Sequence, residues 1–169
     1  MPRLHVVTGA PAAGKSTLLP HLAAYPFATV DFDELPERDG MLLGIDITSP
    51  SASPVWPAYN KLWVKIATML LRAGRPVLIL CPLTPAEWLD ASAHTTGGPP
   101  HTAWARLDCA DTDRHDRLAA RGWEPGQIEE AIEDAAELRG VVDREFTTTG
   151  RGPAETAAAL AHWITGGAR

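Results

Sequence analysis

One eight-residue segment constrains this chain more than any other: Gly9-Ala10-Pro11-Ala12-Ala13-Gly14-Lys15-Ser16. It fits the pattern G-x-x-x-x-G-K-[ST] at every constrained position. Glycines let the backbone curl into a nest whose N–H groups converge on phosphate oxygens. The helix that follows adds the positive end of its dipole, so the loop attracts anions before any side chain is counted. Lys15 then reaches the outer phosphates of a nucleotide as a point charge, and the Ser16 hydroxyl offers an oxygen to Mg²⁺. Gly9, Ala12, Ala13, Gly14, Lys15, Ser16 and Thr17 are therefore the expected nucleotide-binding residues. Such a loop needs a buried strand before it and a helix after it. Leu4–Thr8 is a short apolar run of the first kind, and a helix is expected from Lys15 to the prolines between 20 and 26, which deny helical hydrogen bonds.

Beyond the loop, strands and helices alternate. Ala28–Phe32, Val77–Leu80, Ala103–Cys109 and the short polar Arg144–Thr149 are the expected further strands, the second of them apolar enough to be buried on both faces. Tyr59, Leu62, Trp63, Ile66, Ala67 and Leu70 recur at helical spacing within Val55–Ala73, and Gly74 ends that helix. Thr84-Pro85-Ala86-Glu87 opens another, with Thr at the N-cap, Pro at N1 and Glu at N3. A helix begins at Asp111-Thr112-Asp113 and stops at Gly122. Ile128, Ala131, Ile132 and Ala135 form the apolar stripe of the next, and Pro153–Ile164 is the last. Residues 36–55 are irregular, yet Met41, Leu42, Leu43, Ile45 and Ile47 suggest that they pack over something. Gly97-Gly98-Pro99-Pro100 makes His94–Thr102 a surface loop. This alternation predicts an α/β fold, a parallel sheet with helices on both faces.

Length and charge narrow the classes. At ~100–200 residues per domain, 169 residues make one domain spanning 1–169. Fifteen basic against 21 acidic side chains give a net charge of −6. With only Lys15, Lys61 and Lys65 as lysines and no basic block, a nucleic-acid partner is disfavoured. The longest uncharged apolar run, Val77–Leu83, is too short to cross a bilayer. The first residues lack the apolar core of an export signal. A cytoplasmic protein without a membrane partner is the expectation. Cys81 and Cys109 have no C-x-x-C spacing and fit free thiols in a reducing compartment.

Three further segments carry candidate chemistry. Asp31 and Asp33 lie at the end of the second strand, the edge of an open α/β sheet where ligands bind. On an extended chain they share a side, so one can hold Mg²⁺ through water while the other accepts a proton from an attacking hydroxyl. Arg117 and Arg121, one helical turn apart, offer a guanidinium to a base or to a transferring phosphoryl group. Thr147-Thr148-Thr149-Gly150-Arg151 forms a tight loop into the last helix, with Arg151 a candidate base-side contact.

In this order the segments resemble the small P-loop kinases: shikimate kinase, gluconate kinase and, at Val30-Asp31 and in general layout, chloramphenicol phosphotransferase. The likeness spans nearly the whole chain, with only the phosphate loop specific. It implies a three-layer sandwich around a five-stranded parallel sheet of order 2-3-1-4-5, with ATP and Mg²⁺ as cofactors and transfer of phosphate to the hydroxyl of a small molecule. In that order a disulfide between Cys81 and Cys109 is out of reach, their strands being ~10 Å apart across strand one. The resemblance gives Lys15 and Ser16 the phosphate and Mg²⁺ roles, Arg117 an adenine contact and Arg121 the part of a lid arginine. Asp31 is the expected base; in the alternative register Asp31 holds the metal and Asp33 meets the substrate hydroxyl. A lid-like region is expected at about 111–139. The acceptor side is expected at about 36–63, with Trp56 as its aromatic contact. One departure stands out: strand three ends in Cys81, where many P-loop proteins place an aspartate that organises Mg²⁺, and a thiol is a poor substitute for that oxygen.

Other classes stay in play. A nucleoside, nucleotide or 5′-polynucleotide kinase is one, weakened by the few arginines between 36 and 75: Arg38, Arg72 and Arg75. A regulatory P-loop ATPase is another, with Cys81 as its best argument. The oligomeric state is left open, a homodimer included.

Overall fold

The computed structural model describes residues 3–37, 40–47, 49–93, 95 and 100–166. Period-two burial along the strands builds the architecture. In β1 (Leu4–Thr8) Leu4 and Val6 point to one face of the sheet and Val7 to the other. In β5 (Val77–Cys81) Val77, Ile79 and Cys81 go to the first face, and Leu78 and Leu80 to the second. Every one of these residues is buried. Strands apolar on both sides need a layer of helices on each face. The first face is covered by α2 (Trp56–Arg72) and α3 (Pro85–Ser92), through Tyr59, Trp63, Ala67 and Trp88. The second is covered by α1 (Lys15–Leu22) and α6 (Pro153–Ile164), through Leu18, Leu22, Ala157 and Leu160.

The remaining strands are β2 (Ala28–Asp31), the short ribbon β3 (Met41–Leu42) and β4 (Ile45–Asp46), β6 (Thr102–Asp108) and β7 (Glu145–Thr147). The ribbon is antiparallel and separate. The main sheet is wholly parallel, with spatial order β2-β5-β1-β6-β7. Counting only its own strands, this is the expected 2-3-1-4-5. Two helices, α4 (Asp111–Ala119) and α5 (Pro125–Val141), follow β6. Leu118, Ile128 and Ala131 pack there around Ala12 of the phosphate loop, with Trp123 beside them. Among the described residues no helix is long and apolar enough to cross a membrane.

Several local expectations shift. Pro20 lies inside α1, which runs on to Leu22. Leu62 is largely exposed and Val64 is buried, so the inner face of α2 centres on Tyr59, Trp63 and Ala67. The second strand stops at Asp31, one residue early, because Phe32–Glu34 turns into a short 3₁₀ helix. The irregular 36–55 stretch contains the ribbon and a second 3₁₀ segment, Pro50–Val55. Thr84 and Glu87 form the expected reciprocal cap of α3. Of the loop expected at His94–Thr102, residues 94 and 96–99 lie outside the described residues, as do Arg38 and Asp39 on the acceptor side.

The sheet centre should carry most of the stability. Leu78→Ala removes a fully buried side chain of the central layer, and a loss of about 2–5 kcal/mol is expected. Leu89→Ala, on the exposed side of α3, should change stability by no more than ~0.5 kcal/mol. Equilibrium urea unfolding of the two variants checks the difference.

Candidate active site

The parallel register brings the carboxyl ends of the strands level: Thr8 lies beside Cys81, and Asp31 beside Leu80. Ligands of open α/β sheets bind along this edge. The phosphate loop leaves β1 here. Gly9 sits so close to β6 that an added Cβ would stand 2.9 Å from the Leu107 carbonyl oxygen. Gly14, at φ 101°, occupies a left-handed conformation that only glycine adopts without strain. Lys15 is buried and donates to the Gly9 carbonyl, closing the loop on itself. Burial pushes its ammonium below the ordinary lysine range, while Asp33 and Asp31 pull the other way. A buried cation satisfied by one carbonyl favours an anionic ligand.

Asp31 and Asp33 do not share a side. Asp31 is the extended N-cap of the 3₁₀ turn and is only 1% exposed. Its Oδ1 accepts from the Asp33 backbone N–H at 3.1 Å, and its Oδ2 is 3.3 Å from the Ser16 hydroxyl, which donates to it. Glu34 completes the cap by accepting from the Asp31 N–H at 2.7 Å. Burial raises the Asp31 carboxyl above the usual carboxylate range, opposed by the Asp33 N–H. Asp33, turned outward by the helical step, is exposed and lines the space in front of the loop.

Three spaces meet here. One, about 350 Å³, lies over Pro11–Thr17 and is bounded by Asp33, Pro82, Arg121 and Trp123. A second, about 330 Å³, continues past Ala12, Gly14 and Thr17 to Arg117, Arg121 and Arg151. A third, about 300 Å³, opens on the other side of Asp33 and Pro82, toward Trp56, Tyr59 and Glu87. The fold thus gathers Asp33, Arg117, Arg121 and Arg151 around the loop and sets Trp56 in the adjoining space beyond Asp33. Arg117 is more firmly tied than expected: it donates to the Ala12 carbonyl at 3.0 Å and to Thr148 Oγ1 at 3.1 Å. Arg151 is exposed and lies 3.8 Å from Glu155. Cys81 and Cys109 are both free and buried. Burial pushes the Cys81 thiol up to about 12, and a thiol offers no oxygen of the kind Mg²⁺ prefers.

The residues fit Mg²⁺ bound together with phosphate. Ser16 and the closed-in Asp31 form one hydroxyl–carboxylate pair at the loop. Among the described residues there is no cluster of three or more His, Cys, Asp or Glu that could hold a metal.

A second charged centre is absent from the sequence-based expectations. Arg114 is fully buried and donates to Asp108 Oδ1 at 2.6 Å and to the Pro11 carbonyl. Arg139 of α5 donates to the other Asp108 oxygen at 2.6 Å and to Asp111 at 2.8 Å. These bonds hold the Arg139 guanidinium well above its ordinary value and Asp111 below the usual carboxylate range. Thr148 joins the network, its hydroxyl bonding the Ala13 carbonyl at 3.1 Å. The back of the loop is thereby tied to β6, α4, α5 and the last turn. One signal was available: Arg114 precedes Leu118 by four residues and so sits on the buried face of α4.

The class of fold is that of the P-loop small-molecule kinases, in strand order and in the placement of the loop. Neither a protein-family model nor a curated protein matches the sequence. Similar solved structures include a shikimate kinase from Acinetobacter baumannii in complex with shikimate, 16% identical, TM-score 0.63, over 98% of this chain and 94% of that one. A gluconokinase from Sinorhizobium meliloti 1021 is 21% identical, TM-score 0.55, over 99% and 98%. The Mycobacterium tuberculosis APS kinase, in complex with AMPPNP and APS, is 17% identical, TM-score 0.58, over 98% and 99%.

Asp108→Ala leaves Arg114 buried without its counter-charge. A loss of about 3–5 kcal/mol is expected, read by urea unfolding, and phosphate binding should weaken with it because Arg114 also holds the Pro11 carbonyl.

Proposed function

We propose that this chain is an ATP-dependent phosphotransferase that moves the γ-phosphate of Mg-ATP to a hydroxyl of a small molecule. The observation that carries this is Asp33, which borders both the phosphate-loop space and the separate aromatic space beyond it. A carboxylate at that junction has a phosphoryl group on one side and room for an acceptor on the other. The fold shared with shikimate kinase, gluconokinase and APS kinase supports the same reading.

In this mechanism the acceptor oxygen attacks the γ-phosphorus, the bond to the β–γ bridging oxygen breaks, and ADP leaves. Asp33 takes the hydroxyl proton. Lys15 and Arg121 offset the charge on the transferring group. Arg117 and Arg151 border the base side, and Trp56 the acceptor. Ser16, with Asp31 behind it through water, holds Mg²⁺; when bound, the ion neutralises phosphate charge. This reverses the expected order of the two aspartates, because Asp31 has both oxygens engaged and little exposure, whereas Asp33 is open. Helices α4 and α5, within about 111–139, form the lid region, and about 36–63 the acceptor side of a single domain.

Three variants test the roles. Lys15→Met should abolish transfer with the fold retained by circular dichroism. Asp33→Asn should lower turnover by at least ~10²-fold while ATP still binds. Asp31→Asn should raise the Mg²⁺ requirement, with part of the activity restored at high Mg²⁺. A severe loss in Asp31→Asn beside a mild one in Asp33→Asn would return the base role to Asp31. ATP hydrolysis with no phosphate passed to any alcohol would favour a regulatory ATPase.

A further inference from the structure

The space beyond Asp33 has a chemistry of its own. Phe32, Trp56 and Tyr59 contribute three aromatic side chains to its wall. Phe32 and Tyr59 stand at 84° with centroids 5.8 Å apart, and Trp56 and Tyr59 at 75° and 5.9 Å. The arrangement is braced. Tyr59 donates its hydroxyl to the Phe32 carbonyl, and Phe32 stacks on Trp63 at 5.0 Å. Phe32 and Tyr59, 3% and 6% exposed, pack edge to face as core, and Trp56, 36% exposed, is the ring of this wall open to an organic cation, which its quadrupole attracts.

Two carboxylates border the same space, Asp33 at its inner end and Glu87 on α3. Glu87 is held in place by its cap, its Oε2 accepting from the Thr84 N–H at 2.8 Å and from the Thr84 hydroxyl at 3.0 Å. No Lys, Arg or His is among the described residues that line it. An outer space of about 420 Å³ shares Trp56, Asn60 and Glu87 and adds Asp90, with Lys61 as the one cation among its described lining residues. An anionic acceptor would have to lose water beside Asp33 and Glu87 without a compensating charge.

We propose that the acceptor is an alcohol carrying a protonated amine, its ammonium lodged among Trp56, Tyr59 and Glu87 and its hydroxyl at Asp33. This builds on the phosphotransferase reading above and names its substrate class. The hydroxyl oxygen gains the γ-phosphoryl group of Mg-ATP, Asp33 takes the proton, and the amine is chemically unchanged. Cation–π contact and the Glu87 charge together bind the ammonium form, so masking the amine removes both attractions at once.

The test is γ-phosphate transfer from labelled Mg-ATP, with products resolved by mass, to three sets of alcohols. Glucosamine and 2-deoxystreptamine carry amines, their N-acetyl forms are neutral, and gluconate and shikimate are anions. Transfer to an amine, falling about tenfold or more in kcat/KM on N-acetylation, is the expected result. Glu87→Gln keeps the helix cap through its amide oxygen and should shrink that amine-over-N-acetyl ratio about tenfold, mainly through KM. Trp56→Leu should shrink it further. Transfer to neutral or anionic alcohols and to no amine would overturn the ammonium assignment and leave the phosphotransferase reading standing. Transfer to none of the three sets, with ATP bound, would overturn both.

Discussion

A buried ammonium organises this molecule. Lys15 sits under the phosphate loop with a single carbonyl partner, held there by a backbone that must pass through a left-handed glycine to leave β1 and enter α1. Burial works against the charge, and two carboxylates beyond the loop work for it. A buried ammonium of this kind favours anionic oxygens as its further partners. The layers around it serve to keep that loop in one shape.

That shape is maintained from behind as well as in front. Asp108, at the end of β6, receives Arg114 and Arg139, and Arg114 extends the grip to the Pro11 carbonyl. Arg117 and Thr148 hold the Ala12 and Ala13 carbonyls. Arg114, Arg117 and Thr148 thus take up the carbonyls of Pro11, Ala12 and Ala13 in turn. These partners come from α4, α5 and the segment before α6, so those elements and the loop form one connected network.

In front, the different settings of the two aspartates follow from one local event. A strand that continued through Asp33 would have put both carboxylates on one side. The Asp31 carboxylate instead caps a 3₁₀ turn, which buries Asp31 against Ser16 and leaves Asp33 exposed between two spaces. With Cys81 at the end of β5, the last side chain of that strand offers no oxygen for a metal. The β2 carboxylate and the loop serine are what this edge provides.

Much of this was legible in the residues alone. The loop, the alternation of strands and helices, the cap at Thr84 and the last helix follow from short-range rules of backbone geometry and periodicity, which act within a few residues of sequence. The strand order came from resemblance, and the paired burial of Leu4, Val6, Val77 and Ile79 against α2 and α3 bears it out. What periodicity does not reach is where a polar side chain finds its partner. Arg114 meets Pro11 across 103 positions, Arg139 meets Asp108 across 31, and Tyr59 meets Phe32 across 27. Such pairings depend on which strand ends the sheet brings level. The sequence by itself determined that a glycine-rich loop ending in Lys15 and Ser16 stands between the first strand and the first helix. Only the tertiary structure decided which aspartate is buried and which is open, and that aromatic rings and carboxylates line the same cavity, because those are properties of distances between segments and not of their order.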